Sequence, residues 1–299
     1  MTPELVQAFI STLTIGSMYA LIAVGVTLIY SATRIINFAQ GEFVMLGGMV
    51  MVSLYGDSGW PLWAAIVATI AITVAIATLL SVVVYLPGRQ GALITVLIIT
   101  IGASMVMSGG AFHIWGGDIH RFPPFSGDAP IVLLGATVAP QALWVIGVTT
   151  AVVVLLTLFL KHTIWGKAMR ACAIDPTAAA LMGIRVRRTV TLSFVLAGML
   201  GCVAGIVMTP LTMVDYSGGM LLAIKGFSAA MLGGMGSVMG AVLGGLVFAL
   251  LESFSVTFLS STLKELVTFV VIIFVLMFLP NGLLGARVRH ALAQDEGVD

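Results

Sequence analysis

Apolar residues run along this chain in blocks long enough, at ~20 residues each, to cross a bilayer as helices, and polar residues gather between the blocks. Such blocks fall at residues 5–30, 35–54, 62–86, 92–115, 141–160, 190–214 and 266–279, with a further glycine-rich apolar stretch at 226–258. The dyad alternation of an outer-membrane barrel is missing. The pattern predicts an all-α, polytopic membrane helical bundle of about seven to eight transmembrane segments, forming one transmembrane domain over residues 1–299.

Basic residues between the blocks orient them by the positive-inside rule. Arg34 follows the first block, which therefore ends inside, with the N-terminus outside. No Lys or Arg precedes that block, so it is expected to be retained rather than cleaved as a signal peptide. Gly56, Asp57, Gly59 and Pro61 make an outer turn, and the return crossing stops at Pro87, Gly88 and Arg89. Residues 116–140, with Asp118, His120, Arg121, Asp128 and several prolines, read as an extracytoplasmic loop. Residues 161–190 carry Lys161, Lys167, Arg170, Arg185, Arg187 and Arg188 against Asp175 alone, and read as a cytoplasmic loop.

Residues 215–225 read as a short outer link. Arg287 and Arg289 then favour an inner C-terminus, which requires residues 226–258 to be broken or re-entrant and to return to the outer face, leaving Lys264 and Glu265 near the outer interface. Gly233, Gly234, Gly236, Gly240, Gly244 and Gly245 supply the means of breaking it. Gly236, Gly240 and Gly244 also fall at a spacing that would let a neighbouring backbone come close, within the chain or at a subunit interface. Met45-Leu46-Gly47-Gly48 is echoed at Met231-Leu232-Gly233-Gly234.

Composition agrees with the pattern. The chain is 60% hydrophobic and only 8% charged, where about a quarter of residues are charged in soluble domains. A net charge of +1 argues against a nucleic-acid partner and leaves membrane lipid as the surroundings. Cys172 and Cys202 do not suggest a disulfide framework. The four histidines lack metal-ligand spacing, so no metal site is expected. Ser237 has no partner arrangement for a hydrolase, and no P-loop motif occurs. Uphill transport would need energy from a partner.

Two stretches carry chemistry. Asn37, Gln40 and Glu42 open the second block, where amides and a carboxylate are costly in lipid and are expected to face protein or a watery path. Glu42 reads equally as an ion or proton site and as a structural acid. Glu252 reads as interfacial. In the basic loop, Asp175 suits an N-cap, Pro176 the first helical position and Gly183 the close of a helix under two turns long, which needs a surface to dock on. The positive-inside bias explains the charges of that loop but not its capped helix.

Residues 36–43 with Met45-Leu46-Gly47, Arg170 to Pro176 continuing through Ala180-Leu181-Met182-Gly183-Ile184, and Phe227 with residues 232–237 and Gly240-Ala241 together resemble the branched-chain amino acid ABC transporter permeases, of the H-type (LivH-like) subunit. The likeness covers nearly the whole chain. It implies a type II-like ABC importer permease in the bacterial inner (plasma) membrane, partnered by an M-type permease, two cytosolic ATPase subunits and an extracytoplasmic solute-binding protein. No cofactor is bound directly, and ATP is used by the partners. Arg170, Asp175, Pro176, Ala180, Gly183 and Ile184 then correspond to the helix that couples to an ATPase, while Asn37, Gln40, Glu42, Gly233, Gly236 and Ser237 are candidates for the path or its packing. A passive channel or facilitator for a small polar solute, such as urea or an amide, is the alternative.

Overall fold

The apolar blocks become helices close to where the pattern places them. In a computed structural model, which describes residues 3–88, 93–127, 129–133, 136–258 and 264–284, α1 is Pro3–Thr33, α2 Gln40–Met51 with a π-helical continuation Val52–Asp57, α3 Leu62–Gly88, α4 Leu93–Trp115 and α5 Pro140–His162. Then follow α6 Ile164–Ile174, α7 Pro176–Leu181, α8 Val186–Thr212, α9 Gly218–Gly233, α10 Val238–Phe258 and α11 Lys264–Phe278. Among the described residues six helices are long and apolar enough to cross a membrane, and α9 is a shorter apolar helix. Arg89, Asp128, Arg287, Arg289 and His290 lie outside the described residues.

α1 and α8 are the enclosed helices, and the spans within α3, α4 and α5 leave most of their surface outward. α1 packs chiefly on α10 and α8, and α2, buried along its whole length, packs on α8 and α9. Phe43, Phe194 and Phe248 fill the spaces between these helices. Close approach rests on glycine: a side-chain carbon at Gly205 would strike the Val44 carbonyl, and one at Gly244 the Ala229 carbonyl. In the 116–140 loop, β1 (Ile131–Leu133) pairs antiparallel with β2 (Ala136–Val138). His120 forms a backbone bridge with Val214, so this loop and the α8–α9 link share one end of the bundle.

The structure corrects several expectations. The second block starts its helix at Gln40 rather than Ile35, because residues 34–39 run as non-helical chain. The 161–190 loop holds more helix than one short piece: Thr163 accepts from Gly166 N as an N-cap, so a new helix, α6, starts with that single residue between it and the end of α5. The outer link shrinks to residues 213–217, because Asp215 Oδ1 accepts from the Ser217 and Gly218 amides and starts α9 at once. Lys225 therefore lies inside α9 and is buried.

The glycine-rich stretch is broken, as its glycines suggest. α9 ends at Gly233, Gly234 and Gly236 take φ of 102° each, and α10 starts at Val238. Gly236 thus sits in the turn, and only Gly240 and Gly244 of the spaced trio lie on a helix. Met45–Gly48 lies within α2 whereas Met231–Gly234 closes α9, so the sequence echo does not mark equivalent positions. After α11 the chain returns to the α9–α10 turn, with the Leu283 amide donating to the Leu232 carbonyl at 2.8 Å.

Candidate translocation and coupling sites

The polar start of α2 lies deep in the bundle. Gln40 Nε2 donates to the Ala197 carbonyl at 2.9 Å, and Ala197 is eleven residues past the start of α8, roughly 16 Å along its axis. The chain therefore rises from the end of α1 as irregular backbone and begins a helix at membrane depth. Such backbone is tolerated there only where protein or a watery cavity surrounds it.

Asn37, Gln40 and Glu42 are 2%, 0% and 1% exposed. Asn37 Oδ1 accepts from the Ala39 amide, and Glu42 Oε1 accepts from Ser104 Oγ of α4 at 2.6 Å. Each of the three still has one buried polar atom without a partner: Asn37 Nδ2, Gln40 Oε1 and Glu42 Oε2. The free oxygen of Glu42 lies against Gly219 in the first turn of α9, and Gly41 fits only because it has no side chain to strike the Gly219 carbonyl. Two helices thus begin at one carboxylate, and their N-terminal amides give it a favourable field.

Gly233, Gly236 and Ser237 are not part of this cluster. They lie at the other end of α9, fourteen residues or roughly 21 Å from Gly219. Ser237 Oγ accepts from the Gly240 amide at 3.1 Å, which makes it the cap of α10. Gly236 instead shares a cavity of about 370 Å³ with Thr27, Ser31, Lys161 and Arg170, which brings the α9–α10 turn beside α6.

Across the same end of the bundle lies α7. Asp175 Oδ1 accepts from the amides of Thr177 and Ala178, Pro176 opens the helix, and Gly183 closes it at φ 86°. Ala179 is buried, while Leu181 and Met182 are 85% and 84% exposed. Ala180 lines a groove of about 800 Å³ with Arg185, Arg187 and Arg188, and Ile184 is partly buried beside it.

Two features went unread in the sequence. Arg34 takes φ 59°, and its Nη2 donates to the Ala173 carbonyl of α6 at 2.7 Å. Glu252, expected at an interface, is buried: Oε2 accepts from Tyr19 Oη at 2.6 Å and Oε1 from Lys225 Nζ at 2.9 Å. Lys225 also meets Glu265 at 3.1 Å, and Lys264 approaches Glu252 at 3.6 Å. A lysine inside the apolar run 218–233 was the available signal, since intramembrane charges need partners. Among the described residues no group of three His, Cys, Asp or Glu could hold a metal.

Residues 8–276 match the family described as branched-chain amino acid transport system / permease component. The high-affinity branched-chain amino acid transport system permease protein LivH of Escherichia coli is 33% identical over 93% of this chain and 95% of its own. The corresponding protein BraD of Pseudomonas aeruginosa is 34% identical over the same shares. The structure of PsaBC from Streptococcus pneumoniae in complex with Fab covers 90% of each chain at 15% identity and a TM-score of 0.46, too low to assign a fold. The family match across most of the chain, and the two relatives that cover it almost end to end, make this chain a member of the branched-chain amino acid transport system permease family.

Proposed function

We propose that this chain is the H-type permease of a type II-like ABC importer in the bacterial inner (plasma) membrane, and that with a paralogous M-type permease it forms the path for branched-chain or related small amino acids. Two cytosolic ATPase subunits hydrolyse ATP, and an extracytoplasmic binding protein delivers the solute. The chain itself has no ATPase site and holds no cofactor. Nothing in its fold or its relatives favours the passive channel.

The observation that carries this reading is α7. A six-residue helix is marginal alone, yet this one is doubly capped by Asp175 and presents Leu181 and Met182 almost fully at its tip. Adjacent large apolar side chains, held out on a rigid base at the end of the bundle where the basic segment lies, fit a groove on a partner. Nucleotide binding closes the ATPase pair and moves α7, and differential affinity of ATP for the two states shifts the permease between outward- and inward-facing forms. In this picture Asn37, Gln40 and Glu42, with their unpaired polar atoms at the start of two half-helices, mark the path.

The test is the double variant Leu181→Glu/Met182→Glu, co-expressed with the other importer subunits. It is expected to reach the membrane at wild-type level and to lose both the co-purifying ATPases and ATP-dependent leucine uptake. Full retention of ATPases and uptake would remove α7 as the dock.

A further inference from the structure

On the importer reading above, we infer that Arg34 is the positioning residue that transmits movement of α7 to the polar start of α2. α1 ends at Thr33, and Arg34 N donates to the Tyr30 carbonyl, so Arg34 closes the helix in a left-handed conformation that glycine adopts far more readily. An arginine at such a position is explained by what its side chain does.

The guanidinium reaches 139 residues along the chain to the Ala173 carbonyl at 2.7 Å and lies 5.8 Å from the centre of the Tyr30 ring. Ala173 belongs to the last turn of α6, where carbonyls lack helical partners and a cation is favoured by the helix dipole. It stands two residues before Asp175, whose carboxylate caps α7. Along the chain, Arg34 stands three residues before Asn37 and six before Gln40. One charge-assisted hydrogen bond thus joins the α6–α7 hinge to the irregular segment that leads to Glu42.

α6 has a second tether. Cys172, whose thiol burial raises above the ordinary range, meets Thr189 of α8. That contact ties α6 to α8, and the Arg34 guanidinium ties its last turn to the α1–α2 segment. When α7 moves, α6 and the Ala173 carbonyl move with it, and Arg34 pulls on residues 35–39. This assigns a role to a residue outside both the dock and the path.

Arg34→Gly tests it, because glycine keeps the left-handed turn without strain while it removes the side chain that carries the guanidinium. The assembled importer, in proteoliposomes with its binding protein, is assayed for ATP hydrolysis and radiolabelled leucine uptake. Arg34→Gly is expected to keep assembly, thermal stability and hydrolysis near wild type while leucine moved per ATP falls about tenfold, the scale of one hydrogen bond to a charged group. Arg34→Lys, which keeps a donor and a charge, is expected to recover part of the ratio. An unchanged ratio in Arg34→Gly overturns the proposal, as does a joint loss of assembly, hydrolysis and uptake, which would make Arg34 a purely structural residue. Failure of the wild-type chain to assemble with ATPases or to take up leucine is a separate result that overturns the importer reading itself.

Discussion

Among the described residues two carboxylates are buried between the helices, and they are held by opposite means. Glu252 sits in a ring of charges: Lys225 and Lys264 face it and Glu265 in equal number, and Tyr19 donates to its second oxygen. Glu42 has one hydroxyl, from Ser104, and the fixed dipoles of two helix N-termini, and no ion pair to it is found among the described residues. The first arrangement neutralises its charge and ties α1, α9, α10 and α11 together. The second stabilises a charge without cancelling it. The first carboxylate is engaged at both oxygens, whereas the second keeps one oxygen without a hydrogen-bond partner where α2 and α9 begin, which on the proposed importer reading is the oxygen that would meet a cationic group.

The largest effect is expected in the ion network. Removing one member of a buried, hydrogen-bonded pair leaves the other uncompensated and costs about 3–5 kcal/mol. Glu252→Ala leaves Lys225 with the half-exposed Glu265 and the face of the Tyr19 ring, so the protein should accumulate poorly and melt at much lower temperature in detergent. The double variant Lys225→Met/Glu252→Leu should regain part of that loss, because no buried charge is stranded: the ions it leaves, Lys264 and Glu265, are 39% and 41% exposed, and the Tyr19 hydroxyl loses its acceptor. If the single and double variants were equally damaged, packing rather than charge would hold this junction.

Tyr19→Phe probes the same network more gently. The ring keeps its edge-on contact with Phe248, centroids 5.1 Å apart, and only the hydrogen bond to Glu252 is lost. A cost of about 1.5–3 kcal/mol follows from removing a hydrogen bond to a buried charged group. Thermal unfolding in detergent measures it, and the importer's uptake should be unaffected once protein level is matched. A transport defect at full protein level would place this junction in the path as well and erase the contrast with Glu42.

How far the sequence could reach is visible in these same residues. The bundle was legible because membrane helices must satisfy their own backbone, so apolar block length translates directly into helix length. The break at residues 234–237 was legible because glycines and the parity of crossings both required it. Asn37, Gln40 and Glu42 stood out because polar groups in an apolar run are costly. Lys225 was misplaced by the converse habit of reading a charge as the mark of a loop, when its partners lie 27 and 40 positions along the chain. The family resemblance grouped Ser237 with Glu42 as candidates for the path or its packing, although a whole helix separates them and Ser237 serves as a cap. The reach of Arg34 to Ala173 depends on how α1 and α6 pack, which no local pattern encodes.

Glu42→Gln has the smallest expected effect on stability and the sharpest bearing on the contrast. Glutamine keeps the size of the side chain and an oxygen for the Ser104 hydroxyl, and loses only the attraction of a full charge to the first turns of α2 and α9. That attraction is worth about 0.3–1 kcal/mol per helix end and up to ~2 where partly buried, and it is offset by the cost of holding a charge out of water, which the neutral amide does not carry, so the variant should assemble at wild-type level and melt only a little earlier. Uptake should nevertheless fall steeply, because the free oxygen no longer carries charge where two half-helices begin. Leucine uptake in proteoliposomes, normalised to assembled importer, decides the matter. Normal uptake with a lowered melting temperature would make Glu42 a structural acid like Glu252, held by dipoles instead of lysines, and would leave the path to be sought elsewhere on α2 and α9.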